Sequence, residues 1–246
     1  MTTETVIWHD TECGSYDVDL GLWRELAARA GGPVLDVGAG TGRITLDLAA
    51  RGHDVIALDA DQELIAELDR RAQAAGLAVE TVCADARGFT LSREVALVIV
   101  PMQTLQLLDG AAGRAAFLRC AARCLRPGGL LAAALADAFE GRIDEGDTAE
   151  VFDPLPDIRE VDGTVYASHP VGLRREAGGV VIERIRETVA PDGRRHAEGN
   201  EIRLDDLDTG TVASEAADLG FHARPSLSVP ANDVYVGSEV VVLCRT

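Results

Sequence analysis

Apolar positions along this chain follow two successive rhythms. Across residues 18–30 they recur at helical spacing, with Leu20, Leu22, Trp23, Leu26 and Ala27 forming one stripe after a polar start. From Val34 short apolar runs alternate with amphipathic stretches: 34–37, 54–59, 79–84, 95–100 and 130–135 read as strands, and 43–51, 62–75 and 111–125 as helices. Apolar strands separated by helices predict right-handed β–α–β crossovers and a parallel sheet covered on both faces. The punctuation agrees. Asp61 is placed to cap the helix beginning DQELIAEL, with Glu63 in its first turn and Gly76 at its end. Asp109 precedes the next helix, and Arg126-Pro127-Gly128-Gly129 stops it and turns the chain into a strand.

After residue 138 the rhythm breaks. EGRIDEGDTAEVFDPLPD is acidic, contains Pro and Gly, and reads as a loop. Residues 164–168, 172–176, 180–189 and 194–204 then read as an antiparallel meander with tight turns at Gly178-Gly179 and Asp192-Gly193. A helix over 208–219 and strands over 221–229 and 238–243 close the chain. The predicted class is α/β: a doubly wound, mostly parallel seven-stranded sheet with a β meander inserted after the fifth strand. The expected divisions are an N-terminal lid or helical segment (1–33), a core (34–138), the acidic loop and antiparallel insertion (139–205), and the closing helix and strands (206–246).

Composition narrows the partners. A formal charge of −18 argues against a nucleic-acid backbone, which needs clustered positive charge. All 23 basic residues are arginine. No apolar run is long enough to span a bilayer, and the N-terminus has neither a basic nor an apolar leader region, so a cytoplasmic protein is expected. The five cysteines are odd in number and form no C-x-x-C pair, which predicts neither a disulfide framework nor a zinc knuckle. Cys120 and Cys124 share one face of a helix and are expected to be buried as small apolar residues.

The candidate chemistry begins at VLDVGAGTGR. Gly38 lets the chain turn sharply after the first strand, Gly40 lets a ligand approach the backbone, and Gly42 lets the helix start close to the sheet. Amide N–H groups at that helix start face polar or anionic ligand groups. The spacing is G-x-G-x-G, which is neither the dinucleotide fingerprint nor the phosphate loop, and the chain has no lysine to complete the latter. Asp59 closes the second strand, where a carboxylate can accept hydrogen bonds from both ribose hydroxyls of an adenosine. Asp85, in VCADAR after the third strand, can accept from the exocyclic amine of an adenine. All three loops fall at the carboxyl edge of the sheet, where open α/β folds bind ligands.

The series VLDVGAGTGR, ALDAD, ADAR and LRPGG before an apolar strand resembles the class I S-adenosylmethionine-dependent methyltransferases, over roughly residues 22–137 and again in the closing helix and strands. The resemblance implies a Rossmann-like sheet and S-adenosylmethionine as cofactor. It assigns Asp36 and the loop Gly38, Ala39, Gly40 and Gly42 to the methionine portion, Asp59 with Ala60 to ribose, and Asp85 with Ala86 to adenine. Pro101, Met102 and Gln103 after the fourth strand would line the methyl-transfer pocket. The inserted meander resembles that of small-molecule methylating members, where it forms a substrate wall or a dimer contact, so a homodimer is among the expectations. No Asn/Asp-Pro-Pro-Tyr follows the fourth strand, so methylation of nucleic-acid bases is not supported. The fourth strand lacks the aspartate of the metal-dependent members, and no catalytic metal is expected.

The expected activity is methyl transfer to an oxygen or nitrogen of a small molecule. His9 and His169 are the candidate bases, and His53 is discounted because its turn lies at the amino edge of the sheet. Tyr16 resembles a donor-covering tyrosine whose ring would attract a sulfonium, while Trp8, Gln103 and Gln106 are candidates for the acceptor. The alternative is a non-catalytic protein or sensor that binds S-adenosylmethionine or S-adenosylhomocysteine. A nicotinamide oxidoreductase is disfavoured by the glycine spacing.

Overall fold

The strand Val34–Val37 (β1) is buried at every residue and lies in the interior of a seven-stranded sheet. The computed structural model describes residues 2–136, 148–150, 155–231 and 237–246. Around β1 the sheet is built from Val55–Asp59 (β2), Val79–Cys83 (β3), Val95–Val100 (β4) and Leu125–Ala136 (β5), which run parallel to one another. Two closing strands, Phe221–Val229 (β11) and Ser238–Arg245 (β12), add on antiparallel, giving the order β11-β12-β5-β4-β1-β2-β3. Alternating side chains give inner strands such as β1 and β4 two apolar faces. Leu35, Val37, Ile56, Leu58, Val98 and Val100 pack on one side with Phe117 of helix Gly110–Cys124 (α5) and Val212 of helix Thr209–Ala217 (α6). Val34, Val55, Leu97 and Ile99 pack on the other with Trp23 of helix Leu20–Ala30 (α2) and Leu48 of helix Arg43–Ala50 (α3).

Several local expectations hold. Asp61 caps helix Gln62–Ala74 (α4) by accepting from the Glu63 and Leu64 amides, and Gly76 follows that helix at φ 68°. Cys120 and Cys124 are both buried on α5. Asp109 does precede α5, at its N-cap position, where its carboxylate pairs with Arg87 and makes no side-chain cap. One is corrected. The Arg126–Gly129 stretch does not separate helix from strand: β5 begins at Leu125, and the irregularity is absorbed as a register shift opposite Val95 and Leu97.

The insertion after β5 is a second, antiparallel sheet. Its strands are Thr148–Glu150 (β6), Asp157–Val161 (β7), Thr164–Glu176 (β8), Gly179–Val189 (β9) and Arg195–Asp205 (β10), paired β10-β9-β8-β6 with β7 also on β8. The two strands expected over 164–176 are one strand with a bulge between Pro170 and Gly172. Thr148–Glu150 and Asp157–Val161 are strands within and beyond the acidic segment read as a loop; the rest of that segment, apart from 155–156, lies outside the described residues. The polar N-terminus also forms a helix, Glu4–Cys13 (α1), started by Thr3 accepting from the Val6 amide. No helix among the described residues is long and apolar enough to cross a membrane.

Candidate active site

β1 has β2 on one side and β4 on the other, so the chain leaves it in opposite directions at a switch point, and the crevice that opens there is the expected ligand position of a wound sheet. It is occupied by a cavity of about 520 Å³. Its floor is the loop after β1, where Gly38, Gly40 and Gly42 all take positive φ (73°, 54° and 98°). At Gly40 the constraint is double: a Cβ would also lie 2.1 Å from His9 Nε2. Gly42 serves packing instead, since a Cβ there would press on Leu68 and Leu46 at 2.9 and 3.0 Å.

Three carboxylates reach this cavity from successive strands. Asp36 is 1 % exposed; its Oδ2 accepts from Thr45 Oγ1 at 2.7 Å, and among the described residues its Oδ1 has no hydrogen-bond partner. Burial pushes its pKa up to about 6. Asp59 binds the loop tips: Oδ2 accepts from the Gly40 amide at 2.8 Å and Oδ1 from the Asp61 amide at 2.9 Å. Asp85 is half-exposed and paired with Arg87, whose Nη2 lies 2.7 Å from Oδ2; the side-chain and backbone hydrogen bonds from Arg87 hold its pKa below the usual carboxylate range. Arg87 also reaches Asp109, strapping the β3 loop to the start of α5.

Ala39, Ala60, Ala86, Pro101, Met102 and Gln103 line the same cavity. Beyond the fourth strand the lining turns apolar, with Leu107 and Leu108 facing Ile182 of β9 and Ile202 and Leu204 of β10. The inserted sheet therefore supplies one wall of the cavity. The N-terminal helix supplies another through His9, Glu12 and Cys13. Glu12 accepts from Arg186 Nε and Nη2, each at 2.8 Å, and from Ser168 Oγ at 2.8 Å. Burial alone would raise its pKa, but these bonds outweigh burial and hold it below the usual value. Burial pushes the Cys13 thiol up to about 11, so it is protonated at neutral pH. Burial likewise lowers the pKa of His9.

Four expected site residues lie elsewhere. His169 pairs in register with Ile185 on the face of β9 opposite Ile182 and Arg184, so the strand's two-residue alternation turns it away from the cavity. Trp8 is buried edge-on against Tyr166, with Arg186 5.2 Å from its ring, and packs α1 to the insertion. Gln106 is buried with its amide committed to the Asp205 carbonyl and the Ala136 amide, at 3.1 and 2.8 Å. Tyr16 is buried beneath Arg43, whose guanidinium lies 5.0 Å from the ring and donates to the Tyr16 carbonyl. Arg43 reaches the cavity in its place, held by a bidentate pair with Asp19. Its position directly after the third glycine was the available signal. Nothing in the sequence pointed to Glu12, Cys13 or Arg184, which come together only through α1 and the insertion.

Residues 34–129 match the family described as "Methyltransferase domain". A cypemycin N-terminal methyltransferase from a Streptomyces species is 33 % identical over 137 residues, covering 56 % of this chain and 55 % of that protein. The chain thus spans about half the length of the curated relative it matches. Among solved structures, the S-adenosylmethionine-bound amino pentose methyltransferase CalS10 of Micromonospora echinaspora superimposes with a TM-score of 0.75 at 18 % identity, over 99 % of this chain and 98 % of that one. The sugar N-methyltransferase KedS8 of a Streptoalloteichus species gives 0.73 at 18 % identity, over 98 % and 92 %. At such identities the likeness is one of fold, and it includes the inserted sheet.

Proposed function

We propose that the chain, whose residues 34–129 match a methyltransferase domain, transfers a methyl group from S-adenosylmethionine to an amine of a small molecule. The observation that carries the reading is the convergence of Asp36, Gly38, Ala39, Asp59 and Asp85 on one cavity. The residues fit the donor. Asp36 Oδ1 is a buried acceptor without a partner among the described residues, suited to the donor's ammonium, and it lines the cavity beside Gly38 and Ala39. Asp59 is the ribose acceptor in this reading, Asp85 and Ala86 meet adenine, and Arg43 faces the donor carboxylate. When bound, the donor supplies a methyl group already activated by a sulfonium. The acceptor lone pair forms the new bond as the carbon–sulfur pair returns to sulfur, leaving a thioether.

The protein's part is alignment and exclusion of water, which can supply on the order of 7–11 kcal/mol of a barrier. A hydroxyl acceptor would also need a base to take its proton. The protic groups described around the apolar wall are committed otherwise: Glu12 to Arg186 and Ser168, Arg184 to Asp157 and Ser168, and Cys13 to its own proton, while His9 is seated over Gly40 at the glycine loop. An amine that enters uncharged needs no such base; it gains the methyl and then releases its proton to water. The names of the relatives, an N-terminal methyltransferase and a sugar N-methyltransferase, favour the same atom. Ile182, Ile202 and Leu204 suit an acceptor with an apolar body beside that amine.

The test is incubation of the full chain with S-adenosylmethionine and paired acceptors, amino sugars and small peptides against their hydroxyl counterparts, read by mass spectrometry. Methylated amines with unmodified alcohols are expected. O-methyl products would overturn the choice of nitrogen, and tight donor binding with no product on any acceptor would favour a non-catalytic binding protein.

A further inference from the structure

His9 stands where α1 meets the glycine loop, and its hydrogen bonding leaves one tautomer. Asp10, the next residue, is 5 % exposed and receives Arg71 through Nη1 and Nη2 at 3.0 and 2.5 Å. It also receives Thr41 Oγ1 at 2.7 Å. Burial alone would raise its pKa, but the bonds from Arg71 and Thr41 outweigh burial and hold it below the usual value. Asp10 is therefore an ionised carboxylate that only accepts, and the single hydroxyl proton of Thr41 lies on that bond. His9 Nδ1 is 3.4 Å from the same Thr41 oxygen, which can now only accept. Nδ1 must carry the hydrogen, leaving a lone pair on Nε2. Nε2 lies over Gly40, the residue whose amide donates to Asp59 at 2.8 Å.

We propose that Asp10 and Thr41 are positioning residues that hold His9 as its Nδ1–H tautomer, so that Nε2 accepts a hydrogen bond from a ribose hydroxyl of the donor alongside Asp59. The inference rests on the donor reading above. It recasts His9 as a donor contact rather than a base for the acceptor, and it gives the glycine-loop threonine a task that the backbone pattern does not. The groups facing His9 are Asp10 and Glu12 from α1, Asp59 from β2 and Arg71 from α4. Desolvation by burial dominates them and lowers the imidazole pKa, so His9 is neutral near pH 7. Protonation at lower pH removes the lone pair and places a cation beside the donor. Donor affinity then falls as pH drops through the His9 pKa.

The test is calorimetric titration of the full chain with S-adenosylhomocysteine near pH 7 and at a pH below the His9 pKa, located in the same chain by NMR titration of the imidazole. Thr41→Val removes the hydroxyl at similar volume and is expected to weaken binding about three- to tenfold near pH 7, with Thr41→Ser restoring it. His9→Gln keeps a side-chain oxygen that accepts at every pH, so its affinity relative to the unaltered protein is expected to rise as pH falls. Asp36 titrates in the same window but is present in both chains, so it cancels in that ratio. Unchanged binding by a folded Thr41→Val chain, or a ratio constant across pH, would overturn the relay while leaving the donor reading intact. If Thr41→Val does not fold, the His9→Gln ratio decides alone. Absence of binding by the unaltered chain at both pH values would overturn the donor reading and the relay together.

Discussion

Replacing Gly40 with alanine isolates the tightest point of the site. Two separate costs are expected. The residue sits at φ 54°, and a side chain in the left-handed region costs about 1–2 kcal/mol. The new Cβ would also lie 2.1 Å from His9 Nε2 and 2.4 Å from Cε1, well inside van der Waals contact, so the imidazole must swing away. That movement breaks the Thr41 contact at 3.4 Å, adding about 1 kcal/mol. A total near 2–3 kcal/mol corresponds to a fall of roughly 4–12 °C in melting temperature for a chain of this size. A double-mutant cycle separates the parts. With His9→Ala already present, the collision is gone and only the backbone cost remains, giving a coupling of about 1 kcal/mol between the two positions. Thermal melts of the four proteins measure it. Zero coupling, or a Gly40→Ala chain as stable as the parent, would refute the placement of α1 over the glycine loop.

Two further outcomes follow from buried polar groups. The folded-state pKa of Asp36 is raised from 3.8 to about 6, so the folded chain holds a proton that the unfolded chain has already released; the ionised group costs up to about 3 kcal/mol at neutral pH, and the cost fades as pH falls through 6 toward 4. Asp36→Asn is therefore expected to melt higher than the parent near pH 7, by a margin that shrinks at about pH 5, while binding S-adenosylhomocysteine more weakly; a lower melting temperature at neutral pH would contradict the assignment. Gln106→Leu leaves the Ala136 amide and the Asp205 carbonyl without their partner and is expected to cost about 2–4 kcal/mol, read as a lower urea midpoint with unchanged slope. A neutral substitution there would return Gln106 to the list of acceptor contacts.

The core and the strand-end loops that line the cavity were legible because each depends on local pattern. Apolar runs such as Val95–Val100 are buried at every position, and a strand covered on both faces needs that signature. The glycine loop, Asp59 and Asp85 fall at strand ends, so fixing the strands fixed their neighbourhood. The wall built by α1 and the inserted sheet was illegible for the opposite reason. Helix α1 buries Asp10 and Thr11 as well as Val6, Ile7 and Trp8, because it is gripped on several sides by polar partners, and no single apolar stripe survives to announce it. Glu12 meets Ser168 and Arg186 across more than 150 residues of sequence, a juxtaposition only the tertiary fold creates. His169 and Trp8 failed as site residues for a simpler reason. Residue type suggested chemistry, whereas strand register and ring packing decided which way each side chain points.

The central claim is that adjacent strand ends grip one adenosyl donor, and Asp59 is its most direct probe. Calorimetry of the parent and the Asp59→Ala chain with S-adenosylhomocysteine, alongside a melt to confirm folding, measures it. The account predicts binding by the parent and a loss of roughly ten- to a hundredfold in the variant, the magnitude of hydrogen bonds to a charged group. A parent that does not bind, or a folded variant that binds equally well, would contradict it.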